Sequence, residues 1–156
     1  MPLWLLGTTI IKAQTINMYT ENQLKMDNKT ILLTANKAVE EGNYAGFLSY
    51  CTNDAEWNFL GDRTIHGKDA ILKYMEKTYV EPPIFNIDTI IEDGDFVTVT
   101  GEIKLKNENG TYDQYYYCDN WQFKNGKMAI LKAYVVEKNM TSRIIRPNLA
   151  LADIYI

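Results

Sequence analysis

The first half of the chain carries apolar residues at the spacing of amphipathic helices. From Ile31 to Val39 such residues recur every three or four positions, which predicts a helix over residues 29–41 with Asn28 as its N-cap. Gly42 follows this run and is a typical helix stop. The same reasoning predicts two further helices, over residues 44–51 and 68–79, and one strand over residues 55–60.

The second half changes to runs of β-branched and aromatic residues. Pro82 and Pro83 end the helical part. The runs predict strands over residues 84–91, 96–106, 112–123 and 128–136, separated by the turn sequences EDGD, NENG and KNGK. Consecutive strands joined by such short turns are antiparallel. We therefore predict an α+β fold, with helices laid on one face of a curved antiparallel sheet.

Both ends of the chain fall outside this pattern. A chain of 156 residues forms one domain, which we place at residues 28–138. Residues 1–27 are then an N-terminal extension and residues 139–156 a C-terminal tail. Four apolar residues near the end of the tail are expected to cover another surface: Leu149, Leu151, Ile154 and Ile156.

The extension contains an apolar run from Leu3 to Ile11 that is too short to span a bilayer. Its length fits the core of a secretory signal, but no Lys or Arg precedes it. A cytoplasmic location is therefore the first expectation. Export, for example to the periplasm, is the alternative if residues 1–13 act as a signal segment.

Composition narrows the functional classes. The hydrophobic fraction of 46% and the charged fraction of 23% are those of an ordinary globular protein. The formal net charge is −4 and the chain has no basic run, so we expect no nucleic-acid partner. Aromatic residues are numerous, with 11 Tyr, 5 Phe and 3 Trp, and several lie close together in the sequence.

The chain has two cysteines, Cys51 and Cys118, and one histidine, His66. These are too few for a structural zinc site, and we expect two separate buried thiols rather than a disulfide. Ser-His-Asp or Cys-His catalysis would have to use His66, which we place in a surface turn before the third helix. We therefore expect neither a metal nor a cofactor.

Five short sequences occur in a set order: EGNY at 41–44, DAEW at 54–57, HGKDAI at 66–71, DNWQF at 119–123 and NGK at 125–127. In this order they resemble the NTF2-like superfamily, and within it the SnoaL-like and ketosteroid-isomerase-like proteins. The resemblance covers residues 29–137. It implies a cone-shaped NTF2-like (cystatin-like) fold, in which three N-terminal helices close one side of a bent sheet and leave an apolar pocket. It also implies a homodimer.

Asp119 is the residue that this pattern singles out for chemistry. Alternation along its strand puts Tyr115, Tyr117, Asp119 and Trp121 on one face. A carboxyl between aromatic neighbours on a concave face is desolvated, which favours its neutral, hydrogen-bond-donating form. The resemblance implies a similar role, since ketosteroid isomerases carry an Asp donor at this place. The alternative is that Asp119 only forms a hydrogen bond with a buried tyrosine or backbone group and does no chemistry.

The rest of the ketosteroid-isomerase catalytic set has no counterpart. The positions of its donor tyrosine and its general-base aspartate fall on Ala35 and Phe59. One histidine cannot supply the histidine pair of scytalone-dehydratase-like chemistry. Limonene-type epoxide hydrolases use two Asp bridged by an Arg inside the pocket. We place the arginines of this chain in a loop or the tail, so this set has no matching Arg in the pocket: Arg63, Arg143 and Arg146.

The remaining pocket candidates are aromatic. Trp57 and Phe59 alternate on the first predicted strand and Tyr74 lies on the third helix, so they either fill the core, the favoured interpretation, or line a pocket. Our hypothesis is a protein that binds an apolar or aromatic small molecule, in which Asp119 serves a cofactor-free isomerisation, cyclisation or dehydration. The rival hypothesis is a non-catalytic ligand-binding or dimerisation module.

Overall fold

The computed structural model describes residues 26–138. The predicted tail and all but two residues of the predicted extension lie outside this range. Two helices precede the first strand and a third follows the second strand, so the helices are not all N-terminal to the sheet. The described elements are α1 (Asn28–Glu40), α2 (Tyr44–Ser49), β1 (Cys51–Phe59), β2 (Arg63–His66), α3 (Lys68–Thr78), β3 (Ile84–Asp93), β4 (Phe96–Lys106), β5 (Tyr112–Lys124) and β6 (Lys127–Glu137).

Helix α1 begins one residue earlier than predicted. Its N-cap is Asp27, whose side chain accepts a hydrogen bond of 2.6 Å from the backbone N–H of Thr30. The predicted cap, Asn28, is instead inside the helix and donates through Nδ2 to the carbonyl of Gly94. Asp and Asn both cap helices well, so the sequence could not choose between two adjacent candidates. The face that packs on the sheet consists of Ile31, Leu32, Ala35 and Val39.

Strand β2 corrects the prediction for His66. This residue lies in a four-residue edge strand rather than a surface turn, and it pairs with Glu56 of β1. Gly67 follows with a φ of 81°, a conformation that favours glycine, and it leads the chain into α3. Ile71 and Met75 then bury the inner face of that helix.

The six strands form one sheet in the order β2-β1-β6-β5-β4-β3. Strands β3 to β6 pair in an antiparallel manner, as their turns predict. Strands β1 and β6 run parallel, with Trp57 opposite Leu131, so the prediction of a wholly antiparallel sheet is wrong. A hairpin turn specifies only the pairing of the two strands it joins, and no local sequence marks the direction of a distant pair.

Strand β5 shows the two faces of the sheet. Tyr117 and Trp121 are buried on the side of the helices, whereas Tyr116 is exposed on the opposite side. Residues directly opposite each other in antiparallel strands share a face. The outer sheet face, meaning the side away from the helices, therefore includes Tyr116, Cys118, Tyr134 and Val136. Cys118 is half-buried there, and both cysteines are free thiols.

Candidate functional site

A cavity of about 450 Å³ lies between the helices and the inner face of the sheet. All three described helices and five of the six described strands contribute to its wall. Its exposed lining residues, which form its rim, include Leu60 just after β1 and Val135 of β6. The seven residues that the sequence singled out all line it: Trp57, Phe59, Tyr74, Tyr115, Tyr117, Asp119 and Trp121.

The indole of Trp57 is the centre of an aromatic wall. Its ring centroid lies 5.7 Å from that of Phe47, 6.0 Å from Phe59, 6.2 Å from Tyr74 and 6.4 Å from Trp121. All four pairs are edge-to-face, an arrangement that stabilises aromatic clusters and fixes their orientation. These rings fill part of the core and at the same time line the cavity.

Asp119 lies in the middle of β5, between Val99 of β4 and Ala133 of β6. It is half-buried, and no hydrogen bond joins its carboxyl to a described residue. A purely structural role for Asp119 requires a hydrogen-bond partner for its carboxyl, and the described residues provide none. Burial raises the pKa of Asp119 from its ordinary 3.8 to about 7, because few water molecules can solvate the carboxylate. Both protonation states are populated near neutral pH.

Two other polar atoms beside the cavity have no hydrogen-bond partner among the described residues. They are the indole Nε1 of Trp57 and the hydroxyl of Tyr117, and both are inaccessible to solvent. Burial, together with the charge of Asp119, raises the pKa of Tyr117, so its hydroxyl stays protonated. Protein atoms cover these two donors, whereas Asp119 as a residue is only half-buried.

Tyr79 is a lining residue that sequence reasoning missed. It caps the C-terminal end of α3, and its ring lies 5.9 Å from that of Tyr44. Burial raises the pKa of Tyr79, with a smaller contribution from the charge of Asp119. Tyr79 is the last residue of the predicted helix over residues 68–79. At a helix end, the spacing of apolar residues does not predict which side of the helix a residue occupies. Phe85 and Ile103 were also missed, although alternation along their strands could have found them.

No Lys, Arg or His lines the cavity within the described chain. Asp62 lies at the rim, where Arg63 neutralises it at 2.7 Å in an exposed ion pair. The rest of the rim includes Leu60 and Val135, which are 42% and 47% exposed. The interior therefore offers an anionic ligand no positive partner. Residues 26–138 contain no group of three or more metal-binding side chains.

Solved structures of low sequence identity share this fold. An NTF2-like protein of unknown function from Burkholderia pseudomallei K96243 has a TM-score of 0.63 at 20% identity, covering 69% of this chain and 90% of that one. A protein described as a SnoaL-like polyketide cyclase, from Shewanella denitrificans OS-217, gives 0.62 at 16%, covering 70% and 90%. One described as a ketosteroid isomerase, from Kribbella flavida DSM 17836, gives 0.61 at 11%, covering 70% and 78%. The fold is that of the NTF2-like superfamily.

The sequence itself identifies the family. The SnoaL-like domain matches residues 33–130, which is more than half of the chain. This protein therefore belongs to the SnoaL-like domain family. No curated protein sequence matches it. Between residues 26 and 138, no helix combines the length and the apolar character that crossing a bilayer requires.

Proposed function

We propose that this protein binds an apolar or aromatic small molecule in the cavity, and that Asp119 donates a hydrogen bond or transfers a proton at the ligand. One observation carries the proposal: a half-buried carboxyl on the wall of an aromatic cavity, with no hydrogen-bond partner among residues 26–138. In its neutral form such a carboxyl can donate to a ligand oxygen in a site where little water competes for the hydrogen bond. The mostly apolar wall and the volume of about 450 Å³ support a ligand of that class.

The protonation of Asp119 also supports catalysis. A pKa near 7 suits a group that removes and returns a proton within one reaction cycle. Ionised Asp119 would take a proton from the carbon next to a ligand carbonyl and leave an enolate. The resulting carboxylic acid would return that proton at another position, which completes an isomerisation without a cofactor. Aldol-type cyclisation and dehydration use the same proton transfers.

A binding experiment tests the hydrogen bond. The affinity of an uncharged aromatic ketone, such as 2-acetonaphthone, is measured by calorimetry from pH 5 to pH 9. Wild type should bind most tightly below pH 7 and weaken above it, because ionised Asp119 no longer donates. Asp119→Asn keeps a donor that does not titrate, so its affinity should not depend on pH. A wild-type profile as flat as that of Asp119→Asn would mean that the ligand does not meet the carboxyl.

A second experiment separates binding from proton transfer. The exchange of hydrogen for deuterium next to the carbonyl of the bound ketone is followed by NMR in D₂O. Wild type should catalyse this exchange, whereas Asp119→Asn should bind the ketone without exchanging it, since an amide cannot carry the proton. Equal exchange by both proteins would argue for a binding protein without this chemistry.

The second candidate function is a non-catalytic module that dimerises. Its support is the outer sheet face, where Tyr116, Tyr134 and Val136 are 48%, 49% and 52% exposed and lie on neighbouring strands. Contiguous apolar surface of this kind is typical of interaction sites. We propose a homodimer through this face, with Cys118 inside the interface. Tyr134→Glu should then shift the mass measured by light scattering from dimer to monomer, and a wild-type mass that is already monomeric would exclude this interface.

A further inference from the structure

The wall of the cavity consists largely of aromatic rings that pack against one another. Nine of its twenty described lining residues are aromatic. The ring of Trp57 lies 5.7–6.4 Å from four other rings of the wall, measured between centroids. The faces of aromatic rings carry partial negative charge and attract cations, most strongly in Trp. A wall of this kind therefore suits a positively charged ligand as well as an apolar one.

The charged side chains of the wall are both acidic. Within the described chain they are Asp62 and Asp119. Asp62 lies at the rim, where Arg63 neutralises it at 2.7 Å. Asp119 lies in the middle of β5, and residues 26–138 offer its carboxyl neither an ion-pair partner nor a hydrogen-bond donor. When Asp119 is ionised, the wall therefore carries a negative charge that no described side chain balances.

The described side chains around Asp119 add further negative charge. Burial is the main cause that raises the pKa of Tyr117, which shares the inner face of β5 with Asp119. The negative charge of three carboxylates raises it further: Asp119, Asp88 and Glu40. At the end of α3, burial raises the pKa of Tyr79, and the charge of Asp119 adds to this effect. The electrostatic potential beside the carboxyl therefore favours a cation.

An ammonium group would supply the partner that the carboxyl of Asp119 lacks in the described chain. Folding has already removed most of the water around this carboxyl, so that cost precedes ligand binding. A bound ammonium loses its own hydration, which opposes binding. It gains charge-assisted hydrogen bonds to the carboxylate and attraction to the ring faces. A neutral ligand of the same shape gains neither of these to the same extent, and an anion is repelled.

We propose that the cavity binds organic ammonium ions with an aromatic or apolar body, whose N–H groups donate to ionised Asp119 while the body packs against Trp57 and the rings around it. The inference rests on the ligand-binding part of the proposed function and not on proton transfer. It concerns the ionised form of Asp119, whereas a ketone uses the neutral form. The volume of about 450 Å³ suits an amine with a body of two fused rings.

The test compares two ligands of the same shape by calorimetry at pH 8. One is 2-naphthylmethylamine, which is protonated at this pH, and the other is the uncharged alcohol 2-naphthalenemethanol. Wild type should bind the amine about tenfold more tightly than the alcohol, because only the amine pairs with the carboxylate. Asp119→Asn should lose this preference and still bind the alcohol. Asp62→Asn is the control for the rim and should keep the preference.

The pH dependence gives a second readout that needs only the wild-type protein. From pH 5 to pH 8 the affinity for the amine should rise as Asp119 ionises, whereas that for 2-acetonaphthone should fall. The hydroxyls of Tyr79 and Tyr117, which face Asp119, stay protonated in this range. His66 lies on β2 and does not line the cavity, and the Asp62→Asn variant accounts for the carboxylate at the rim.

Three results would overturn the inference. The first is a wild type that binds the alcohol as tightly as the amine at pH 8. The second is a preference for the amine that Asp119→Asn keeps and Asp62→Asn loses, since the cation would then lie at the rim. The third is an affinity for the amine that does not rise with pH. If 2-acetonaphthone binds and the amine does not, this inference fails and the proposed function stands, whereas binding of neither ligand refutes both.

Discussion

Replacing Asp119 with Asn should remove one component of the pH dependence of stability. The pKa of Asp119 in the folded protein is about 7, against an ordinary value of 3.8 that applies once unfolding exposes the carboxyl to water. Between these two pH values the folded state holds a proton that the unfolded state has released. The stabilisation from this proton is complete below about pH 4 and is lost as the pH rises through 7.

The size of the effect follows from the two pKa values. Each pH unit between them is worth about 1.4 kcal/mol of differential stability, so the whole interval corresponds to about 4 kcal/mol. Between pH 5 and pH 8 this group should lower the free energy of unfolding of wild type by about 2.5 kcal/mol. Above that range the contribution is constant, because Asp119 is ionised in both states. Asn is uncharged and of similar size, so the variant lacks this slope.

Urea unfolding, followed by tryptophan fluorescence at pH 5, 6, 7 and 8, measures the effect. The stability of Asp119→Asn relative to wild type should increase by about 2.5 kcal/mol across this range. Asp113→Asn is the control, since Asp113 is an exposed carboxylate on the same strand, and it should retain the wild-type slope. Parallel pH profiles for wild type and Asp119→Asn would refute the reasoning, because the folded protein would then solvate the carboxyl as well as the unfolded chain does.

Three further predictions concern the scaffold around the site. Gly101→Ala should destabilise the protein by roughly 2–4 kcal/mol, because a Cβ would lie 2.1 Å from the carbonyl oxygen of Asn86. An unchanged melting temperature would contradict this prediction. Phe47→Ala should lower the free energy of urea unfolding by about 3–5 kcal/mol, since the ring is 2% exposed within the aromatic wall; a loss under about 1 kcal/mol would disagree with that packing. Burial raises the pKa of Cys51 to about 12, so its reactive thiolate form is scarce at pH 8. A thiol reagent at pH 8 should therefore modify at most Cys118 in the folded protein, and modification of both cysteines before unfolding would contradict this.

The second half of the fold is the part that the sequence specifies locally. The predicted strand over residues 96–106 coincides with β4, and the strands on either side differ from prediction by one or two residues. Turn sequences and β-branched runs act over neighbouring residues, which is why they suffice there. Strand β2 was missed because its four residues have no apolar pattern and three of them are exposed. Its place depends on pairing with β1, a tertiary contact.

One part of the candidate site could likewise be predicted from the local sequence, and another part could not. Alternation alone placed Asp119 on the same face of its strand as Tyr117 and Trp121. Side chains two residues apart share a face in any strand, whichever strands pair with it. Alternation could not distinguish a filled core from a cavity. That difference depends on the space left between the helices and the sheet after Phe47, Trp57 and their neighbours have packed.

The energetics of Asp119 separate its contribution to folding from its contribution to function. The structure gives the carboxyl of Asp119 no hydrogen-bond partner within its described part. Its ionised form therefore makes the folded state less stable at neutral pH, and Asn at the same position would avoid that cost. Stability therefore does not account for an aspartate here. A group that destabilises the fold, lines a cavity and is half ionised near pH 7 has the properties that proton transfer requires. If Asp119→Asn proves more stable than wild type above pH 7 and loses the exchange reaction, the two measurements together assign the residue to chemistry.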